Sequence, residues 1–122
     1  MPSPVGHSIS VALALPLLKP SLREKMMHWP FLLASIFVTN SPDIDFLFGF
    51  LAGTPNLYHH QFTHSFIFTA MVGIVFTLFF IKVQKTSVED FLPVFFYFSL
   101  LASTHIVLDY FCMDTTAPYG VM

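Results

Sequence analysis

Charge is what this sequence lacks most. Lys and Arg number five and Asp and Glu seven in 122 residues, so 10% of the chain is charged, against about 25% in a soluble domain. A soluble fold with so little charge would leave broad apolar surface in water. The net charge of −2 supplies no basic face for a phosphate backbone, so no nucleic-acid partner is expected. The single cysteine, Cys112, excludes an intrachain disulfide framework. The sequence holds no Gly-rich phosphate loop, no Ser–His–Asp elbow and no paired-cysteine motif. MPSPVGHS has no basic stretch ahead of an apolar run, so the start does not read as a secretory signal. No internal repeat, low-complexity tract or linker interrupts the chain, and its length suits one domain over residues 1–122.

Apolar residues are what it has, 55% of the total with 17% aromatic and a mean hydropathy of +0.71. That composition predicts an all-α, polytopic membrane bundle of about four helices, with the lipid bilayer as its surroundings. The segments run roughly from Val5 to Leu18, from Trp29 to Thr39, from Thr63 to Ile81 and from Phe91 to Phe111. The first two are short for a full crossing, which takes about 20 residues. Trp29 reads as an interfacial anchor, and Pro93 sits in a first turn, where proline is tolerated. A soluble bundle with these as core helices is the alternative, and the composition counts against it.

Topology then sorts the polar residues. The loop 19–28 holds Lys19, Arg23 and Lys25, and the loop 82–90 holds Lys82 and Lys85. These are all the Lys and Arg of the chain. If each helix crosses, both loops share one side, which the positive-inside rule makes cytoplasmic. The opposite side then receives His7, Asp43 and Asp45 from SPDID, His59, His60 and His64 from HHQFTHS, and His105 and Asp109 from THIVLDYF. Imidazole and carboxylate groups are costly inside a membrane and mark function by default.

Each motif has a plain reading beside the functional one. His105 and Asp109 stand four apart and share a helix face, which suits a metal or a buried hydrogen bond between helices. His60 and His64 are also four apart. Asp43 and Asp45 repel unless a cation lies between them, but either is equally a helix cap in a solvated loop. His7 alone is no more than a polar residue near a helix start. His28 lies among the basic residues, away from the cluster, and Asp114 has no ligand spacing. Cys112 reads as packing and Ser65 as a helix surface residue. The joint pattern outweighs its parts, because four separate segments deliver donor groups to one region.

MPSPVGHS, SPDID, HHQFTHS and HIVLDYF followed by TTAPYGV resemble the membrane-bound metal-dependent hydrolases, a group also described as LexA-regulated and associated with the inner membrane. The resemblance covers nearly the whole chain. It implies a multi-pass inner-membrane protein with metal ligands at His7, Asp43, Asp45, His59, His64, His105 and Asp109. The chain departs from the pattern at His60, where arginine is common, and at Gln61, where glycine is common. Similar proteins continue into a W-P-F segment and further helices, so the resemblance implies more chain beyond Met122.

Mixed His and Asp donors suit zinc, manganese or iron. Seven donors exceed one tetrahedral ion and would fill two, roughly 4 Å apart with a bridging carboxylate. The expected activity is hydrolysis of a phosphoester or lipid-linked ester at the membrane surface, on its non-cytoplasmic side. His60 is then the general acid or base, or a substrate contact, and Asp109 has an alternative role orienting His105. Two other classes stay open: a transporter of metal ions or protons, and a non-catalytic module that its metal staples together.

Overall fold

Proline and serine set the helix starts. In the computed structural model, which describes residues 4–54 and 62–111, α1 runs Pro4–Ala14, α2 Pro20–Met26, α3 Trp29–Asn40, α4 Ile44–Leu51, α5 Phe66–Gln84 and α6 Phe91–Phe111. Pro20 and Pro30 sit in the first turns of α2 and α3, where the absent N–H would have had no partner. Ser65 caps α5 by accepting from the Phe68 N–H at 3.2 Å, satisfying a donor the helix leaves orphaned. The expectation that Ser65 is a plain surface residue is therefore corrected. Lys85 closes α5 in the left-handed region, with φ of 49°. No strand occurs among the described residues, and the fold is the all-α bundle that the composition predicts.

Among the described residues the four expected helices are accompanied by two shorter ones, α2 and α4. The basic loop contains α2, held down by buried Leu22 and Met26. The SPDID stretch is not an open loop either. Ser41–Asp43 forms a single 3-10 turn, and the chain continues directly into α4. Pro42 fixes the turn, while the run Ile44–Leu51 is apolar enough to extend the helix in a membrane despite Asp45. The correction matters for span length. Trp29–Leu51, Phe66–Gln84 and Val88–Phe111 are each long and apolar enough to cross a bilayer, whereas Val5–Leu17 is shorter. The second stretch reaches that length only because α4 is added to α3.

Small and polar groups face inward beside the large apolar ones, and much bulky apolar surface faces outward. On α5, Thr69, Gly73 and Thr77 are buried, while Ile67, Val75 and Leu78 are exposed. Between helices in lipid there is little hydrophobic drive, so close packing and hydrogen bonds hold them together. Ser10 and Thr39 hydroxyls lie 2.9 Å apart across α1 and α3, and Thr39 donates to the Leu101 carbonyl at 3.2 Å on α6. Tyr97 donates to Ser35 at 3.1 Å, and Ser103 to Thr69 at 3.2 Å. Phe31, Phe80, Phe98 and Leu101 fill the centre.

An ion pair between Lys19 and Asp90 ties the two basic loops together at one end of the bundle. Lys19 precedes α2 and Asp90 precedes α6. The other end of α6 carries His105 and Asp109.

Candidate metal centre

The α6 helix sets the frame. His105 and Asp109, one turn apart, are both buried, and His105 Nε2 lies 3.3 Å from Asp109 Oδ2. The other ring nitrogen, Nδ1, is 2.9 Å from the Thr39 carbonyl at the end of α3. A carbonyl only accepts, so Nδ1 carries the proton and Nε2 is the nitrogen available to a ligand. Asp43, in the turn after α3, brings Oδ1 to 3.1 Å from that same Nε2.

His64 arrives from the turn that precedes α5. Its Nδ1 faces Asp45 Oδ2 at 3.2 Å, and Thr63 donates to the same oxygen at 2.6 Å. Nε2 points the other way, 3.5 Å from Asp109 Oδ2 and 3.9 Å from Asp43 Oδ1. Burial lowers the His64 pKa, but the facing Asp109 and Asp45 carboxylates outweigh it and hold it above its ordinary value. Opposed carboxylates demand positive charge here.

One donor atom each from Asp43, His64, His105 and Asp109 lies within 4.8 Å of all the others. The nearer donor pairs stand 3.1, 3.3, 3.5 and 3.9 Å apart. Four ligands set tetrahedrally at about 2.1 Å from an ion stand about 3.4 Å from one another. A charge-assisted N–H···O bond is shorter, about 2.7–2.9 Å, and neither Asp109 oxygen makes a well-formed hydrogen bond among the described residues. His105 Nε2 and Asp43 Oδ1 are also within hydrogen-bond distance of each other, and the number, type and spacing of the four donors fit a divalent ion. Asp43 is the most open of the four, with its side chain 30% exposed against 1% or less for the others.

The remaining expected ligands fall in three positions. His7 on α1 stacks on His105, with ring centroids 3.7 Å apart and planes at 14°, and its Nε2 is 3.6 Å from Asp109 Oδ1. It borders the cluster on the far side of Asp109. Asp45 sits behind His64 rather than beside Asp43, so the imidazole separates the two carboxylates. His59 and His60 lie outside the described residues, as do Cys112 and Asp114. His28 is exposed at the start of α3. Sequence reasoning missed Thr39 and Thr63. Thr63 had a signal, because it adjoins His64 in the T-H-S triplet. Thr39 had none, since its contribution to His105 is a backbone carbonyl.

The carboxylate behind a histidine fixes the ring and raises its basicity as a ligand, and losing such a partner costs about 10–100-fold in metal affinity. Asp45→Asn is therefore expected to weaken metal binding within that range without abolishing it, in a competition titration against a chromogenic chelator. Unchanged affinity would remove the supporting role. Complete loss would make Asp45 a ligand in its own right.

These features define a class: a small helical membrane protein whose bundle gathers buried histidines and aspartates at the end opposite its basic loops. The family profile described as YdjM inner membrane protein matches residues 1–122, and the chain belongs to that family. It is accordingly an inner-membrane protein. No curated protein and no solved structure matches it.

Proposed function

We propose that this chain is a metal-dependent hydrolase acting at the membrane surface. The observation that carries the reading is the convergence of Asp43, His64, His105 and Asp109, drawn from three separate parts of the chain, within 4.8 Å. These four would hold a divalent ion, with zinc and manganese best suited to the donor set. Asp109 turns Oδ2 toward His64 and His105 and Oδ1 toward His7, so His7 would join these four residues if a second ion were held. When bound, such a centre acts as a Lewis acid and lowers the pKa of water.

The chain's own groups supply the rest. The Thr39 carbonyl and Asp45 hold the two imidazoles in the tautomer that offers Nε2. His64, His105 and Asp109 lie out of contact with bulk solvent, and Asp43 is the most exposed of the four. The reaction adds water across an ester or phosphoester: its oxygen joins the acyl carbon or phosphorus, and a proton goes to the departing alcohol oxygen. His60, four residues before His64, is assigned to that proton transfer or to holding the substrate.

His60→Ala is expected to retain the metal and to lower turnover of ester or phosphoester substrates by about 10²–10⁴-fold. Loss of the metal instead would show that His60 belongs to the ligand set. The rivals are separable in the same preparation. Ion flux in proteoliposomes without ester turnover would favour a transporter, although transporter sites usually sit near the bilayer midplane between repeated halves. Unfolding on chelation without turnover would favour a structural staple.

A further inference from the structure

We infer that the metal centre lies inside the hydrocarbon layer, below the boundary on the side opposite the basic loops, and takes its substrate from the lipid leaflet and not from water. The inference rests on the hydrolase reading and specifies its substrate class: a bilayer lipid with an ester or phosphoester at its glycerol end. The register of the helices fixes the depth. Ser35 and Tyr97, Thr39 and Leu101, and Asp43 and His105 are each paired 62 residues apart, so α3 and α6 run side by side in step. The α5 helix runs the other way, with Gly73 at Ser99, Thr69 at Ser103 and His64 at Asp109.

Three helices give the same distance. Phe91 opens α6 beside the Lys19–Asp90 pair. At a rise of about 1.5 Å per residue, His105 stands about 21 Å and Asp109 about 27 Å along that helix. On α3 the rise from Trp29 to Asn40 is about 16 Å, and the 3-10 turn adds about 6 Å to reach Asp43. From Lys82 back to Phe66, two residues after His64, α5 covers about 24 Å. Trp29 is exposed at the basic end, where tryptophan marks the membrane boundary. The hydrocarbon core is about 30 Å thick. The donors therefore stop about 3–9 Å short of the opposite boundary, and a helix tilt of about 20° sinks them further.

The surface at that level is apolar. Val5 stands two residues before His7, Ile44 follows Asp43, Phe62 and Phe66 flank His64, and Phe111 lies two past Asp109; all five are exposed. Among the described residues this end carries no Lys, Arg or Glu. The chain that leaves Asp43 stays apolar, with Phe48, Phe50 and Leu51 of α4 exposed. Such a collar is a liability in water and suits lipid. The Asp43 side chain is 30% exposed with Ile44 next to it, so the part of the cluster that meets its surroundings does so among lipid-facing side chains. A soluble ester would have to leave water to reach that depth, whereas the glycerol linkages of a lipid already lie at the edge of the hydrocarbon. In the reaction, water's oxygen joins the acyl carbon or phosphorus, the bond to the glycerol oxygen breaks, and that oxygen takes a proton from the water.

The test uses the full chain in phosphatidylethanolamine–phosphatidylglycerol vesicles. Trp29 is the single tryptophan, so Trp29→Phe combined with Ile44→Trp moves the fluorophore beside Asp43. Trp29→Phe with Phe62→Trp serves should the first pair fail to fold. Lipids brominated on the acyl chain should quench the moved reporter severalfold more than aqueous iodide does, with the wild-type Trp29 as the boundary reference. Zinc-loaded wild-type protein, given the vesicles together with p-nitrophenyl acetate and p-nitrophenyl phosphate, should cleave the lipid and leave both soluble esters at the rate seen without protein. Mass spectrometry of the lipid identifies the bond: lysolipid and fatty acid for the acyl ester, diacylglycerol for the phosphoester, and either product supports the inference. Iodide quenching as strong as that of free tryptophan, or soluble esters cleaved as fast as lipid, would overturn it and leave the hydrolase reading standing. Deep quenching with no turnover of any ester would retire the hydrolase reading and leave the depth of the cluster in place.

Discussion

His64→Ala is expected to purify with almost no bound metal. The imidazole is fully buried, and its Nε2 is one of the four mutually close donor atoms. Alanine leaves Asp43, His105 and Asp109, two of them carboxylates facing each other with one fewer partner. Asp45 loses its ring as well, although Thr63 still donates to it. The loss should exceed the about 10–100-fold that removing an outer partner costs, so the decline is larger than for Asp45→Asn. Elemental analysis of the detergent-purified variant, with helicity by circular dichroism as the control for folding, reads the result. Wild-type metal content in a folded His64→Ala protein would exclude His64 as a ligand.

The largest effect on stability is expected from Gly73→Leu. The α5 and α6 helices approach closely where Gly73 meets Ser99. A Cβ built on Gly73 would stand 2.0 Å from Ser99 Oγ, 3.1 Å from Ser99 Cβ and 3.2 Å from its backbone nitrogen. Rotation of the hydroxyl relieves the first contact, but the other two belong to atoms that move only with the helix. Gly73→Ala is therefore tight, and Gly73→Leu must separate the helices. Overpacking of this kind costs about 1–3 kcal/mol, and leucine belongs at the upper end. Separation here also strains the Thr69–Ser103 hydrogen bond one turn away. Unfolding of the reconstituted protein by steric trapping measures the cost. Ser99→Gly should recover part of it in the double variant, because the two positions share one contact. A leucine variant as stable as wild type would mean that the helices do not meet at this point.

The bundle was legible because each crossing helix is long, apolar and bounded by basic or proline-rich loops. The grouping of donors at one end was legible for a related reason: connectivity alone puts both basic loops together, as the Lys19–Asp90 pair does. The spacing of His105 and Asp109 also transferred directly, since i and i+4 share a face in any α-helix. What escaped notice depends on context. Asp43 and Asp45 suggested a solvated loop, yet the histidines receive their charge and the chain stays helical through Leu51. Ser65 looked like surface, and only the turn at Phe62–His64 makes it a cap. The division between Asp43, which faces the shared point, and Asp45, which braces His64 from behind, follows from the direction of one imidazole. No spacing rule encodes that. Thr39 holds His105 through its carbonyl, a group every residue has, so its role is invisible in the sequence.

Metal content of the wild-type protein bears most directly on the whole account. Elemental analysis of the chain, purified without chelator and quantified by amino-acid analysis, should find one or two equivalents of a first-row divalent metal. Two would match a pair of ions held by the wider donor set, and one would match the four-donor site alone. Dialysis against a strong chelator should remove the metal, and added zinc or manganese should restore it. No metal above background, and none taken up on addition, would contradict the account and leave the His/Asp cluster as a purely proton-balanced polar network.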